Sequence, residues 1–243
     1  MTEMRELHVY DCALMGCRGM RLVMATTLIA GGLLVACVQW AIVARADPET
    51  CPPVCDQIPD TAWISAAAIP LNSTYHWPSP AGPAVVMTGG ATPRFRFEEV
   101  CATPALPQDI RNSAVAARAT VDNPAGQWQL RAEVVHWRGD PATGGPNARS
   151  VFDIAQAALR GCQLGSAAES PSVTVDEPNR LAAVVSGPTI LHTYLVAHPE
   201  NSTISELTLW GTDPVQPPWP IISDGQVLDA MSASLCAAYV GSC

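Results

Sequence analysis

Six cysteines follow a long uncharged apolar run, and that order constrains the fold of this chain more than any other feature. The run spans residues 22–44 and is preceded by Arg18 and Arg21. Ala44-Arg45-Ala46 and then Asp47-Pro48 follow it. A basic lead, an apolar stretch and a small-x-small site before an acid form the pattern of an export signal cut after Ala46. Beyond that site stand Cys51, Cys55, Cys101, Cys162, Cys236 and Cys243. An even number of cysteines in an oxidising compartment reads as a set of disulfides. The expected pairs are Cys51–Cys55, Cys236–Cys243 and, joining an early loop to a helix, Cys101–Cys162. A zinc reading needs matched Cys-x2-4-Cys sets. Cys51-Pro-Pro-Val-Cys55 has that gap, but Cys236 and Cys243 are too far apart for a zinc knuckle. No metal or other cofactor is therefore expected.

Three fates of residues 1–46 stay open. At 23 residues the run exceeds the ~7–15 of a cleaved signal and matches the roughly 20 that cross a bilayer. Retention as a membrane anchor would leave Arg18 and Arg21 inside and the rest outside. Leu34-Val35-Ala36-Cys37 resembles a lipobox, although the nine residues after Cys37 are mostly apolar. Met15 or Met20 would also make a more ordinary start. Residues 1–46 are thus a signal peptide or N-terminal membrane anchor, and membrane contact is expected only through 22–44. The protein is expected to be secreted or held in the cell envelope.

Charge narrows the function. All 13 basic residues are Arg, there is no Lys, and the net charge is −9. That composition excludes a P-loop lysine, a Schiff-base lysine and a polybasic nucleic-acid surface.

Twelve of the 22 prolines lie in residues 47–125. Proline restricts φ and removes a donor, so short pieces and turns are expected there. Asp60–Ala67 reads as a short helix, Ala84–Thr88 and Arg94–Phe97 as short strands, and Ile110–Ala119 as a second helix. Glu98-Glu99 and Asp176-Glu177 read as solvated loop ends. From residue 126 onward the pattern is regular. Trp128, Leu130, Ala132 and Val134 alternate with Gln129, Arg131 and Glu133, which predicts a half-buried strand. Asn147 is a candidate N-cap for a helix over 148–162, with Val151, Phe152, Ala155 and Leu159 in its apolar stripe. Runs at 172–175, 180–186, 189–197 and 203–210, separated by short turns, predict an antiparallel meander. A last helix runs from Ser223 or Asp224 to about Tyr239, burying Val227, Leu228, Met231 and Leu235. The fold class is α+β: an antiparallel sheet with two helices packed on one face, preceded by the proline-rich irregular segment 47–125 and stapled by disulfides.

The strand Trp128–Trp137, the helix carrying Ser150-Val151-Phe152-Asp153-Ile154-Ala155 and ending at Cys162, the meander and the Cys-bearing terminal helix together resemble the extracellular sensor-like domains of mycobacterial serine/threonine kinases. The module is similar to exported mycobacterial lipoproteins and secreted proteins. The Lys-free composition and the Ala-Arg-Ala-Asp-Pro junction look actinobacterial. The resemblance covers about residues 127–243 and rests on element order. Cys51, Cys55, Cys236 and Cys243 do not map onto it. It implies a ligand-sensing fold with a groove, and it transfers no functional residue.

Even spacing places His192, Tyr194 and His198 on one strand face, and His192 with Tyr194 would form a pocket wall. Trp210 and Trp219 flank the proline-rich loop before the last helix, where exposed rings would stack on sugars or grip lipid. These four are the candidate ligand-binding residues. The plainer alternative is packing under a helix for the first two and plugging of the sheet end for the tryptophans. No Gly-x-Ser-x-Gly or His-Glu-x-x-His motif occurs, so no catalytic residue is assigned. The leading expectation is a non-enzymatic envelope protein that binds a small or lipidic ligand, or an envelope protein, and no nucleic acid. A secreted hydrolase with a Ser/His/Asp-type site is a second reading, because triad members need not be adjacent. A purely structural module is a third.

Overall fold

The computed structural model describes residues 56–87, 92–212 and 214–243. The export segment and the Cys51–Cys55 pair lie outside the described residues. Among the described residues no helix is long and apolar enough to cross a membrane.

Seven strands form one antiparallel sheet: β1 (Val85–Val86), β2 (Val115–Val121), β3 (Gln129–His136), β4 (Ser170–Glu177), β5 (Arg180–Ser186), β6 (Thr189–His198) and β7 (Thr203–Thr212), in the order β1-β2-β3-β7-β6-β5-β4. Among the described residues five helices accompany it: α1 (Asn72–Tyr75), α2 (Arg96–Val100), α3 (Pro141–Arg160), α4 (Cys162–Gly165) and α5 (Asp224–Ala238). Strands β4 to β7 are the expected meander. The sheet does not respect the boundary expected at residue 126, because β1 and β2 both come from the proline-rich stretch.

The two long helices lie on opposite faces of the sheet, which corrects the expectation of one shared face. The reason is that both sheet faces are apolar along β5, β6 and β7. Tyr194, Val196, Leu207 and Leu209 pack with Val227, Leu228, Met231 and Leu235 of α5. Leu191, Leu195, Ala197 and Ile204 point the other way and pack with Val151, Phe152, Ala155 and Leu159 of α3. Each helix has one apolar stripe to bury, and a sheet apolar on both sides gives each its own layer. Trp63, Ile64, Ile69, Leu71 and Trp77 extend the α5 layer.

Several local elements differ from the expected ones. The expected helix over 110–119 is a 3-10 turn, Ile110–Ser113, followed by β2. Its alanines favour a helix when alone, but full pairing of Val115–Val121 with β3 prevails. The expected strand Arg94–Phe97 instead enters α2, where a Glu98 carboxylate oxygen accepts the Phe95 N–H at 2.8 Å. Helix α3 starts at Pro141 rather than at 148. Asp140 is its N-cap, accepting the Ala142 N–H at 2.9 Å. Asp60–Ala67 holds two separate 3-10 turns, Asp60–Ala62 and Ala66–Ala68.

Two of the expected disulfides are present. Cys101–Cys162 ties the C-terminal end of α2 to the first residue of α4, and Cys236–Cys243 ties α5 to the residues after it.

Candidate functional site

The four candidate ligand residues divide between two faces. His192, Tyr194 and Trp219 share the α5 side. Trp210 lies on the other side, where the Arg96 guanidinium stacks 4.8 Å from its ring.

On the α5 side the aromatic rings satisfy one another. Trp219 lies flat on His192, with centroids 3.5 Å apart and an interplanar angle of 8°. Trp128, which alternation placed on the buried face without a ligand role, closes the group at 4.9 Å from Trp219. The loop carrying Trp219 is pinned in place. Trp128 Nε1–H donates to the Pro217 carbonyl at 2.8 Å, and Tyr75 O–H donates to the Gln216 carbonyl at 2.7 Å. Burial pushes His192 down to about 4, against the opposing pull of Asp224, so the imidazole is neutral at physiological pH. Tyr194 O–H donates to Asp224 Oδ1 at 2.8 Å at the start of α5, and burial raises its pKa. The group clamps the β7–α5 loop onto the sheet.

Histidine chemistry is similarly enclosed. His136 Nδ1 sits 2.9 Å from Thr203 Oγ1, and its ring stacks on Tyr239. Both His136 and Thr203 are completely buried, so no substrate reaches that pair. His198 lies against the Cys236–Cys243 bond, with Nε2 at 3.1 Å from Cys243 Sγ.

The polar face of β3 was expected to meet solvent, and it does not. The segment around α2 covers it with an ionic layer. Arg118 meets Glu133 at 2.6 Å, and Arg131 bridges Glu133 at 3.2 Å and Glu99 at 3.0 Å. Arg118 and Arg131 both donate to the Arg94 carbonyl. Next to this layer, Arg111 joins Glu98 and Asp109, each at 2.7 Å, with all three side chains buried. Glu98 is therefore an interior ion-pair partner rather than a solvated loop end. The missed signal was pairing: Arg94, Arg96, Arg111, Arg118 and Arg131 all lie in the same stretch of chain as Glu98, Glu99 and Glu133.

A cavity of about 350 Å³ opens beside β1 and β2. Trp63, Ala81, Ala84, Val86, Val115 and Ala117 form apolar wall, and among the described residues Asp56 and Asp60 are the ionisable ones that line it. A second groove, about 470 Å³, lies between residues 67–73 and 220–226, and none of the described residues lining it is ionisable.

No protein-family model, no curated protein and no solved structure matches this chain.

Proposed function

We propose that this chain is an exported, non-enzymatic envelope module that binds a small amphiphilic ligand, apolar in body and cationic at one end, in the cavity beside β1 and β2. The observation that carries this reading is the make-up of that cavity. A volume of about 350 Å³ falls in the common range for small-molecule sites, roughly 300–1,000 Å³. Its wall is aliphatic with one indole, and its two carboxylates have no arginine beside them in the lining. Such a lining repels an acid and accepts an amine. The cavity lies at the edge of the sheet, beside β1 and β2. Export is supported by the apolar run 22–44, the Ala-Arg-Ala junction and the two disulfides.

The test is a calorimetric titration with an alkylamine, the fatty acid and the alcohol of the same chain length. The amine binds best and weakens as salt rises. Replacing both Asp56 and Asp60 by Asn costs the amine about three- to tenfold, as expected for exposed carboxylates. Equal affinity for the acid overturns the reading. Failure of all three probes leaves the purely structural module.

A further inference from the structure

The end of β6 brings His198 to a cysteine pair that the sequence spacing alone had set aside. His198 Nε2 is 3.1 Å from Cys243 Sγ and 3.5 Å from Cys236 Sγ. A tetrahedral zinc ion has Zn–N near 2.0 Å and Zn–S near 2.3 Å, which sets N···S at about 3.5 Å and S···S at about 3.8 Å. The two nitrogen–sulfur separations are already close to those values. The sulfurs need only part once the bond between them is gone. We propose that, when the Cys236–Cys243 bond is reduced, His198, Cys236 and Cys243 form a three-ligand zinc site with its fourth position open to solvent.

Two further features fit a metal site. Glu200 Oε2 lies 3.4 Å from Nδ1, the ring nitrogen facing away from the sulfurs. That is ion-pair range and not a hydrogen bond, and Nδ1 has no hydrogen-bond partner among the described residues. A small approach of the exposed Glu200 side chain would orient the ring, as carboxylates do behind many zinc-bound histidines. The two cysteine-bearing segments are also held by contacts other than the disulfide. Buried Asn201 donates to the Leu235 carbonyl at 3.2 Å and lies 3.4 Å from Ser242 Oγ. This clamps the β6–β7 connection to both cysteine-bearing segments whether or not the sulfurs are joined. Cys243 is exposed, and Gly241 before it takes φ +82°, so the outer arm has room to open.

A dithiol gives two electrons and two protons to the bridge and closes to its own disulfide, leaving two thiols. Zinc then displaces one proton from each and binds the thiolates and the neutral imidazole.

The test uses the full chain with cobalt as a spectroscopic stand-in and zinc as competitor. A phosphine reduces the bridge, taking the oxygen of one water to become phosphine oxide. The oxidised protein takes up no cobalt at this site. The reduced protein binds one equivalent with a thiolate-to-cobalt charge-transfer band, and zinc removes it. His198→Asn weakens cobalt at least tenfold. Glu200→Gln weakens it about tenfold while keeping the band. Circular dichroism of the oxidised variants confirms that they are folded. Absence of the band in reduced wild type, or an unchanged affinity in folded His198→Asn, overturns the proposal.

Discussion

Glu133 on β3 and Glu206 on β7 stand directly opposite each other in the middle of the sheet, and both are completely buried. They are compensated differently. Glu133 meets Arg118 and Arg131 side chains, whereas both carboxylate oxygens of Glu206 accept the Arg96 backbone N–H, at 2.8 and 3.0 Å. Burial, reinforced by the neighbouring Glu133 and Glu98 charges and opposed by Arg131, raises Glu206 to about 8.

That shift has a sign. The unfolded chain loses the Glu206 proton near 4.5, while the folded chain keeps it to about 8. Between those values the folded state holds the extra proton, so this group's contribution falls as pH rises and levels off above 8. His192 acts oppositely between about 4 and 6.5, where the unfolded chain is the one that gains a proton. The diagnostic is therefore the difference between wild type and Glu206→Gln in urea unfolding from pH 5 to 8.5. The variant gains on wild type by on the order of a few kcal/mol across that range. Parallel curves would refute the assignment.

The two disulfides should contribute unequally. Cys101–Cys162 closes a separation of 61 residues and Cys236–Cys243 one of 7. Loop-closure entropy gives about 4 and about 2 kcal/mol. Double Cys→Ala variants measured by equilibrium unfolding at pH 7 should show that order, and the reverse order would contradict it.

Gly145→Ala should destabilise the protein although it improves helix propensity. A Cβ at Gly145 would stand 2.6 Å from the Pro199 carbonyl oxygen, where α3 runs against the β6–β7 connection. Relieving that overlap costs roughly 1–3 kcal/mol, more than the ~1 kcal/mol that Ala gains over Gly in a helix. A raised melting temperature would show that the contact yields easily.

Tyr194→Phe removes the donor to Asp224 and should cost about 1.5–3 kcal/mol, the range for a hydrogen bond to a charged group. Thr174 O–H still reaches the other carboxylate oxygen at 2.5 Å, so α5 keeps its seat. Chemical denaturation at neutral pH reads the loss, and no change would mean that Thr174 or water takes over the bond.

Ala84→Phe should fill the cavity beside β1 and β2. Because Ala84 is only half-buried, stability should stay within about 1 kcal/mol of wild type. Alkylamine affinity should fall at least tenfold. Unchanged affinity would place the ligand elsewhere.

Much of the fold was legible in the chain. The alternation of β3, the four-strand meander and the buried face of α5 follow from period, and the even cysteine count points to disulfides, whereas the partner of Cys101, 61 residues away, is set by packing. The candidate site was legible only in pieces. His192 and Tyr194 share a face because their spacing is even, but nothing local reveals that Trp219 folds back onto His192 or that Trp210 faces the opposite layer. The cavity was invisible, because Asp60, Trp63, Ala84 and Ala117 are brought together by packing across non-adjacent elements.

Side-chain period and backbone stereochemistry are local, so the residues themselves set which segments become strand or helix wherever the pattern is strong. They do not set which face a helix covers, whether Arg131 and Glu133 meet water or a covering loop, or that His198 reaches Cys243. Those outcomes depend on the competition among all apolar surfaces for partners, and on charges finding counter-charges once water is excluded. The alanines of β2 show the division: alone they favour a helix, and only the neighbouring strand β3 makes them part of the sheet.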